Sequence, residues 1–206
     1  MDNNINATPM FSVPLYTNSI SVLENEISFI KKLPYQRMVS DNGDYTVSYN
    51  ILNEKKLTRL RFELEENIKC FADQIYSIDE TVDWHITTSW CNKHGIGDWG
   101  HSHYHKNSLF SGVFYFDVPE NSGDLVMENH SPMLPFPPTI EFKHKDYNIF
   151  NSRVWSVKPV NNLLVLFPSF LRHYVKKNES DSDRYSVAFN VFFRGSIGER
   201  EASIKI

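Results

Sequence analysis

His101-Ser-His-Tyr-His-Lys-Asn-Ser-Leu-Phe-Ser-Gly-Val-Phe-Tyr-Phe116 sets three histidines at alternate positions just before an aromatic, strand-rich run. In an extended chain, successive side chains point to opposite faces, so His101, His103 and His105 share one face. Each neutral imidazole offers a nitrogen lone pair, which is what a metal site requires. A solvated histidine tract would look the same in isolation. What tips the balance is a second stretch, Leu163-Leu-Val-Leu-Phe-Pro-Ser-Phe-Leu-Arg-His173. It reads as an apolar strand that ends in a turn and delivers one more histidine. His103 and His173 stand too far apart in the chain for a zinc-finger hairpin, so a site using both is assembled across a sheet. Cys91 is too isolated to suggest a cysteine-rich zinc centre.

Outward from these stretches, most of the chain reads as strands. Trp84–Cys91, Phe110–Val118, Asp124–Glu128, Phe150–Val157, Leu163–Phe167, His173–Lys176 and Arg184–Phe193 are candidates. Lys93–Gly100 reads as a glycine-containing loop and Pro119-Glu-Asn-Ser-Gly123 as a turn. Pro132–Pro138 carries four prolines and cannot be a central strand; it is expected to be a loop, wall or lid. Towards the amino terminus, residues 1–10 look frayed and Phe11–Tyr16 reads as a short edge strand. A helix capped by Asn18 or Ser19 is expected to run to about Lys32, with Ile20, Leu23, Ile27 and Ile30 on one side. Tyr45–Asn50 is a short strand or extended segment. The clearest local pattern is Asn53–Ser77, where Leu57, Leu60, Leu64, Ile68, Phe71 and Ile75 make one apolar helical stripe. Helices followed by a run of antiparallel-looking strands predict an α+β chain, mainly β, built as a sandwich or barrel.

With 206 residues, 41% of them hydrophobic and 22% charged, the chain is expected to be globular and soluble, with a real core. The net charge of −4 offers no basic field for nucleic acid. No apolar run approaches a membrane span, and the polar amino terminus does not read as a secretory signal. Two cysteines cannot staple a fold of this size, which suits a reducing compartment. A cytoplasmic location is the expectation, with a small-molecule or peptide substrate and neither nucleic acid nor membrane as partner. A homodimer is compatible with the sequence, although nothing in it calls for one.

Four segments in order carry a resemblance: His103–Tyr115, Val118-Pro-Glu-Asn-Ser-Gly-Asp-Leu125, Leu166-Phe-Pro-Ser-Phe-Leu-Arg-His173 and Arg184-Tyr-Ser-Val-Ala-Phe-Asn190. Ser89-Trp-Cys-Asn92 and the amino-terminal Phe11-x-x-Pro-Leu-Tyr16 fit the same pattern. Together they resemble the 2-oxoglutarate–Fe(II) oxygenase family found in bacteria and marine phages. The resemblance implies one domain over residues 1–206, with a helical part at about 18–80 and a core at about 84–195. The core would be a double-stranded β-helix, or jelly roll, with the helices packed outside. It also implies an Fe(II)- and 2-oxoglutarate-dependent dioxygenase that hydroxylates a C–H bond and releases succinate and CO₂. If the gene is phage-borne, the enzyme would act in the host cytoplasm.

The wider superfamily holds its metal with a His-x-Asp/Glu pair and a distal histidine. His103 matches the first histidine and His173 the distal one, but the carboxylate position falls on His105. A neutral imidazole leaves the metal's charge uncompensated and the centre more electrophilic. Three readings are open, in this order. His105 is a third ligand; or Asp98 or Glu128 supplies the carboxylate; or His101 and His103 bind the metal while His105 orients a ligand. Arg184 is the expected anchor for the far carboxylate of 2-oxoglutarate, because a guanidinium binds a carboxylate bidentately. Arg184, Ser186, Ala188 and Asn190 share one small polar face, which suits a cavity wall, and Tyr185, Val187, Phe189 and Val191 share the apolar one. Ser186 would add a hydroxyl, and Asn92 and Tyr115 would serve as polar wall residues. Asn161-Asn162 stands where the family has a glycine-containing turn, and asparagine tolerates that backbone. His85, His94, His130 and His144 read as surface or hydrogen-bonded histidines, and Trp84, Trp90, Trp99 and Trp155 as core or wall. The competing classes are a non-catalytic metal-binding jelly-roll or cupin-like protein, and a three-histidine dioxygenase that needs no oxoacid.

Overall fold

The computed structural model describes residues 7–38, 42–130, 140–198 and 200–205. Its strands are β1 (Tyr16–Ser19), β2 (Tyr35–Arg37), β3 (Asp44–Thr46), β4 (Asp83–His94), β5 (Gly100–His103), β6 (Phe110–Asp117) and β7 (Leu125–Glu128). After these come β8 (Val154–Val157), β9 (Leu163–Pro168), β10 (Arg172–Val175), β11 (Arg184–Arg194), β12 (Ser196–Ile197) and β13 (Ile204–Lys205). Two helices, α1 (Glu24–Lys31) and α2 (Thr58–Cys70), lie in the amino-terminal part.

One sheet has the order β1-β9-β6-β11-β4-β3-β2 and a second the order β5-β10-β7-β8. From β4 to β11 the chain passes back and forth between them: β4, β6, β9 and β11 in the large sheet, β5, β7, β8 and β10 in the small one. This antiparallel winding is the expected jelly roll. Its consequence for function is that β5 and β10, far apart in sequence, become neighbours with His173 opposite His103.

The strand period divides the core in two. On β6, Phe110, Phe114 and Phe116 face the helices, whereas Val113 and Tyr115 face the space between the sheets. On β11, Val187, Phe189 and Val191 join the helix-side core. Gly112 is needed where it is: a Cβ there would overlap Cζ of Phe189 and lie 2.7 Å from Cδ2 of Leu166.

The stripe of α2 behaves as its spacing predicts, with Leu57, Leu60, Leu64, Ile68 and Phe71 all buried against the large sheet. Burying each such side chain contributes about 1.5–3 kcal/mol. The helix is shorter than the stripe suggests. Two 3₁₀ turns precede it, separated by extended Glu54, and a π turn over Phe71–Ile75 follows. The wider turn rotates Ile75 out of the stripe, and it is exposed. The first helix also differs from expectation. Asn18 and Ser19 do not cap it, because both belong to β1, paired with β9. The helix starts after Leu23, whose N–H is accepted by the Glu26 carboxylate. Arg59 of α2 pairs with the buried Glu26 (2.6 Å), tying the two helices together. The expected strand Phe11–Tyr16 begins only at Tyr16, past Pro14, and Phe11 is exposed. Asn162 has φ +70°, the left-handed backbone its turn demands. Pro132–Pro138 lies outside the described residues. Among the described residues, no helix is long and apolar enough to cross a membrane.

Candidate metal centre and its cavity

The ring nitrogens of His103, His105 and His173 converge, with one possible ligand atom from each within 4.8 Å of the others. Two adjacent strands and one tied-down loop bring them together. His103 ends β5, and His173 lies opposite it on β10. His105 follows β5, where its N–H donates to the Ser169 carbonyl (3.0 Å), fixing this loop to the turn between β9 and β10. The His173 ring packs edge-on against Phe167, with centroids 4.8 Å apart.

The outer nitrogens decide what the inner ones offer. Nδ1 of His103 donates to the His101 carbonyl (2.8 Å), and Nδ1 of His173 to the Leu171 carbonyl (2.9 Å). Nδ1 of His105 donates to Oδ1 of Asn190. An imidazole with its one proton on Nδ1 presents a bare lone pair at Nε2. All three rings are therefore held in the same tautomer, and Nε2 of His103 and His105 face each other at 3.3 Å. Two lone pairs at that distance repel unless a cation or a shared proton sits between them, and the donor set fits a divalent first-row metal. Burial, reinforced by the neighbouring His103, pushes His173 down to about 3. His105 is also lowered, chiefly by burial, against the opposing pull of its Asn190 bond. The His173 ring thus stays neutral and able to ligate well below neutral pH, and the His105 ring is shifted in the same direction.

The carboxylate alternatives are engaged elsewhere. Arg37 holds Asp98 in two bonds, at 2.9 and 2.6 Å, and the Gly95 N–H donates to it as well. Glu128 accepts from Ser102 and lies 3.7 Å from the His130 ring. Neither belongs to the converging group. Nor does the ring of His101, 5.2 Å from that of His103 between centroids; its backbone carbonyl is what orients His103.

The histidines open on a cavity of about 110 Å³ between the sheets, whose walls include Trp90, Asn92, Tyr115, Arg184 and Ser186. Ser186 sits directly between Asn92 on β4 and Tyr115 on β6, so the expected polar wall is one cross-strand row. Tyr115 is buried, which raises its pKa. Arg184 is only 1% exposed. Its Nη1 donates to the carbonyls of Ser122 and Gly123, both at 2.8 Å, and Nη2 to Nδ1 of His94 at 2.9 Å. Gly123 can offer that carbonyl because its φ is +87° and a Cβ there would strike the Lys176 carbonyl.

Three of the five guanidinium donors are thereby taken. Nε–H is buried without a partner, and one Nη2–H remains. Among the described residues no carboxylate pairs with Arg184, and burial lowers its pKa. An uncompensated buried cation is costly, and a bound carboxylate would offset that cost.

Two residues gained importance that the sequence did not assign. Asn190 accepts from His105 and Ser111 and donates to Thr88, so it is the orienting partner of one ring. His94, read as a surface or hydrogen-bonded residue, is buried beside the guanidinium. Of the tryptophans, Trp84 is core and Trp90 is cavity wall, but Trp99 and Trp155 are exposed, contrary to expectation.

Comparisons with known proteins follow the same lines. A family model described as "Putative 2OG-Fe(II) oxygenase" matches residues 88–190, half of the chain. No curated protein sequence matches. Among solved structures, the α-ketoglutarate-dependent epimerase SnoN from nogalamycin biosynthesis aligns with TM-score 0.63 at 14% identity, over 91% of this chain and 79% of its own. A prolyl-4-hydroxylase from Pseudomonas putida gives TM-score 0.55 at 13% identity, over 89% and 93%. HygX from Streptomyces hygroscopicus, with nickel and 2-oxoglutarate bound, gives 0.55 at 9% identity, over 87% and 82%. At these identities the likeness speaks for the fold.

Proposed function

The chain belongs to the 2OG-Fe(II) oxygenase family, and on that premise we propose that it is an Fe(II)- and 2-oxoglutarate-dependent dioxygenase that hydroxylates a C–H bond of a small-molecule or peptide substrate. The observation that carries the reading is the convergence of three imidazoles, each with Nε2 turned inward, and a buried guanidinium that no carboxylate pairs with among the described residues, all lining one cavity. In this reading His103, His105 and His173 hold the metal, and the histidine at 105 takes the place of the usual carboxylate. Fe(II) with bound 2-oxoglutarate supplies activation of O₂, with the oxoacid leaving as succinate and CO₂ and one oxygen atom passing to the substrate.

The chain's own residues do the rest. Arg184 binds the far carboxylate of the oxoacid through its free Nε–H and Nη2–H, and Ser186 adds a hydroxyl in the same row. Asn92 and Tyr115 complete the polar wall, while Val113 and Phe167 exclude water from the space between the sheets. Three neutral imidazoles leave a divalent metal its full double charge, which a dianionic oxoacid matches.

The test is succinate formation. Protein supplied with Fe(II), 2-oxoglutarate and O₂ should release succinate, and Arg184→Ala should raise the 2-oxoglutarate requirement at least tenfold. A three-histidine dioxygenase needing no oxoacid is the second reading, favoured by the missing carboxylate. Full activity of Arg184→Ala without 2-oxoglutarate would select it.

A further inference from the structure

We propose that His94 is a positioning residue for the oxoacid: it fixes the Arg184 guanidinium in the one rotation that keeps its Nε–H edge open to a carboxylate. This rests on the reading of Arg184 as the carboxylate anchor.

The two side chains come from directly paired positions, Arg184 on β11 and His94 on β4. A guanidinium only donates, so the 2.9 Å contact makes Nδ1 of His94 the acceptor and places the ring proton of the neutral form on Nε2. This is the reverse of the tautomer in the three converging histidines. The ring is held in place from several sides. Its own backbone carbonyl accepts from Nδ2 of Asn178 (2.9 Å), and that amide also donates to the Ser182 carbonyl (2.9 Å). Gly43 lies close to the ring; a Cβ there would lie 3.1 Å from Cδ2 and 3.2 Å from Nε2.

Three acceptors therefore grip the guanidinium on its two terminal nitrogens: the carbonyls of Ser122 and Gly123 and Nδ1 of His94. Two of these are backbone carbonyls. His94 is the only side chain of the three. Without it, Nη2 has no acceptor among the described residues, and the plane of the guanidinium is free to turn about its Nη1 bonds. The fork that would meet the oxoacid is then no longer preorganised.

Calorimetric titration of 2-oxoglutarate into the Mn(II)-loaded full-length protein tests this without turnover. Oxalate serves as the control ligand, because it chelates a metal but is too short to reach an anchor. His94→Asn keeps an acceptor at the position of Nδ1 and should bind 2-oxoglutarate within about threefold of wild type. His94→Gln moves the amide one bond farther, and His94→Phe removes the acceptor; each should bind it roughly tenfold or more weakly. Oxalate affinity should be unchanged in all three. If His94→Phe does not fold, the contrast of asparagine with glutamine decides alone. Equal 2-oxoglutarate affinity in wild type and His94→Gln would overturn the role of His94, as would a parallel loss of oxalate binding. An Arg184→Ala variant that binds 2-oxoglutarate as tightly as wild type would instead count against Arg184 as the anchor.

Discussion

Nε2 of His103 and Nε2 of His105 lie 3.3 Å apart, and the opposite nitrogen of each ring is tied to an oxygen acceptor. Residues two apart would normally present their rings side by side along a strand. Here β5 ends at His103, and the bond from His105 N–H to Ser169 turns the second ring back towards the first. The convergence is therefore a property of the backbone, and it makes specific demands on substitution.

Removing any one ring should remove most of the metal affinity. His103→Ala, His105→Ala and His173→Ala are each expected to weaken Co(II) or Mn(II) binding by more than the roughly 10–100-fold typical of an orienting residue. His105→Asp should retain binding, since a carboxylate restores a ligand and adds charge attraction. Equilibrium dialysis of the four variants checks the ordering.

Asn190 holds the proton of His105 and is itself held by Ser111 and Thr88. Asn190→Leu should lower metal affinity by about 10–100-fold, because the ring loses its fixed tautomer. Asn190→Asp still accepts and should bind metal at least as well as wild type. Dialysis at one pH distinguishes the two.

A methyl group at position 112 would collide with the ring of Phe189 and with Leu166, both fully buried. Gly112→Ala is expected to cost about 1–3 kcal/mol of stability, the scale of an overpacked core. Urea denaturation measures it. The metal site, on the other side of β6, should still assemble in the folded fraction.

Acid should act on the turn that carries Asp98. Burial raises the pKa of this carboxyl, but the bonds from Arg37 and the Gly95 N–H outweigh that and leave it below the usual range. A group depressed in the folded state contributes stability above its unfolded pKa, about 3.9, and that contribution is lost as pH falls through the folded value. Asp98→Asn should therefore melt lower than wild type at pH 7, with the difference shrinking below about pH 4. Thermal melts across that range test the sign.

Much of this site is legible in the sequence because β11 is regular through most of its length. Its period of two alone puts Arg184, Ser186, Ala188 and Asn190 on one face. Its register with β4 and β6 then joins Ser186 to Asn92 and Tyr115. The convergence of His103 and His173 is legible as a cross-sheet pairing, although choosing His105 over His101 depends on where β5 stops. His94 is not legible. It ends a strand next to a glycine-containing loop, and only the pairing of β4 with β11 brings it to Arg184. The start of α1 escapes the sequence for a related reason: Asn18 and Ser19 are good caps by type, but pairing with β9 claims them first. The end of α2 is hidden by a π turn, which leaves no mark in an apolar stripe.

The most direct measurement is an anaerobic titration of the Fe(II)-loaded protein with 2-oxoglutarate, followed by the weak visible metal-to-ligand charge-transfer band. The band should appear in wild type, vanish in His103→Ala and His173→Ala, and require far more 2-oxoglutarate in Arg184→Ala. Iron binding without any band in wild type would contradict the oxoacid site, and no iron binding at all would contradict the three-histidine centre itself.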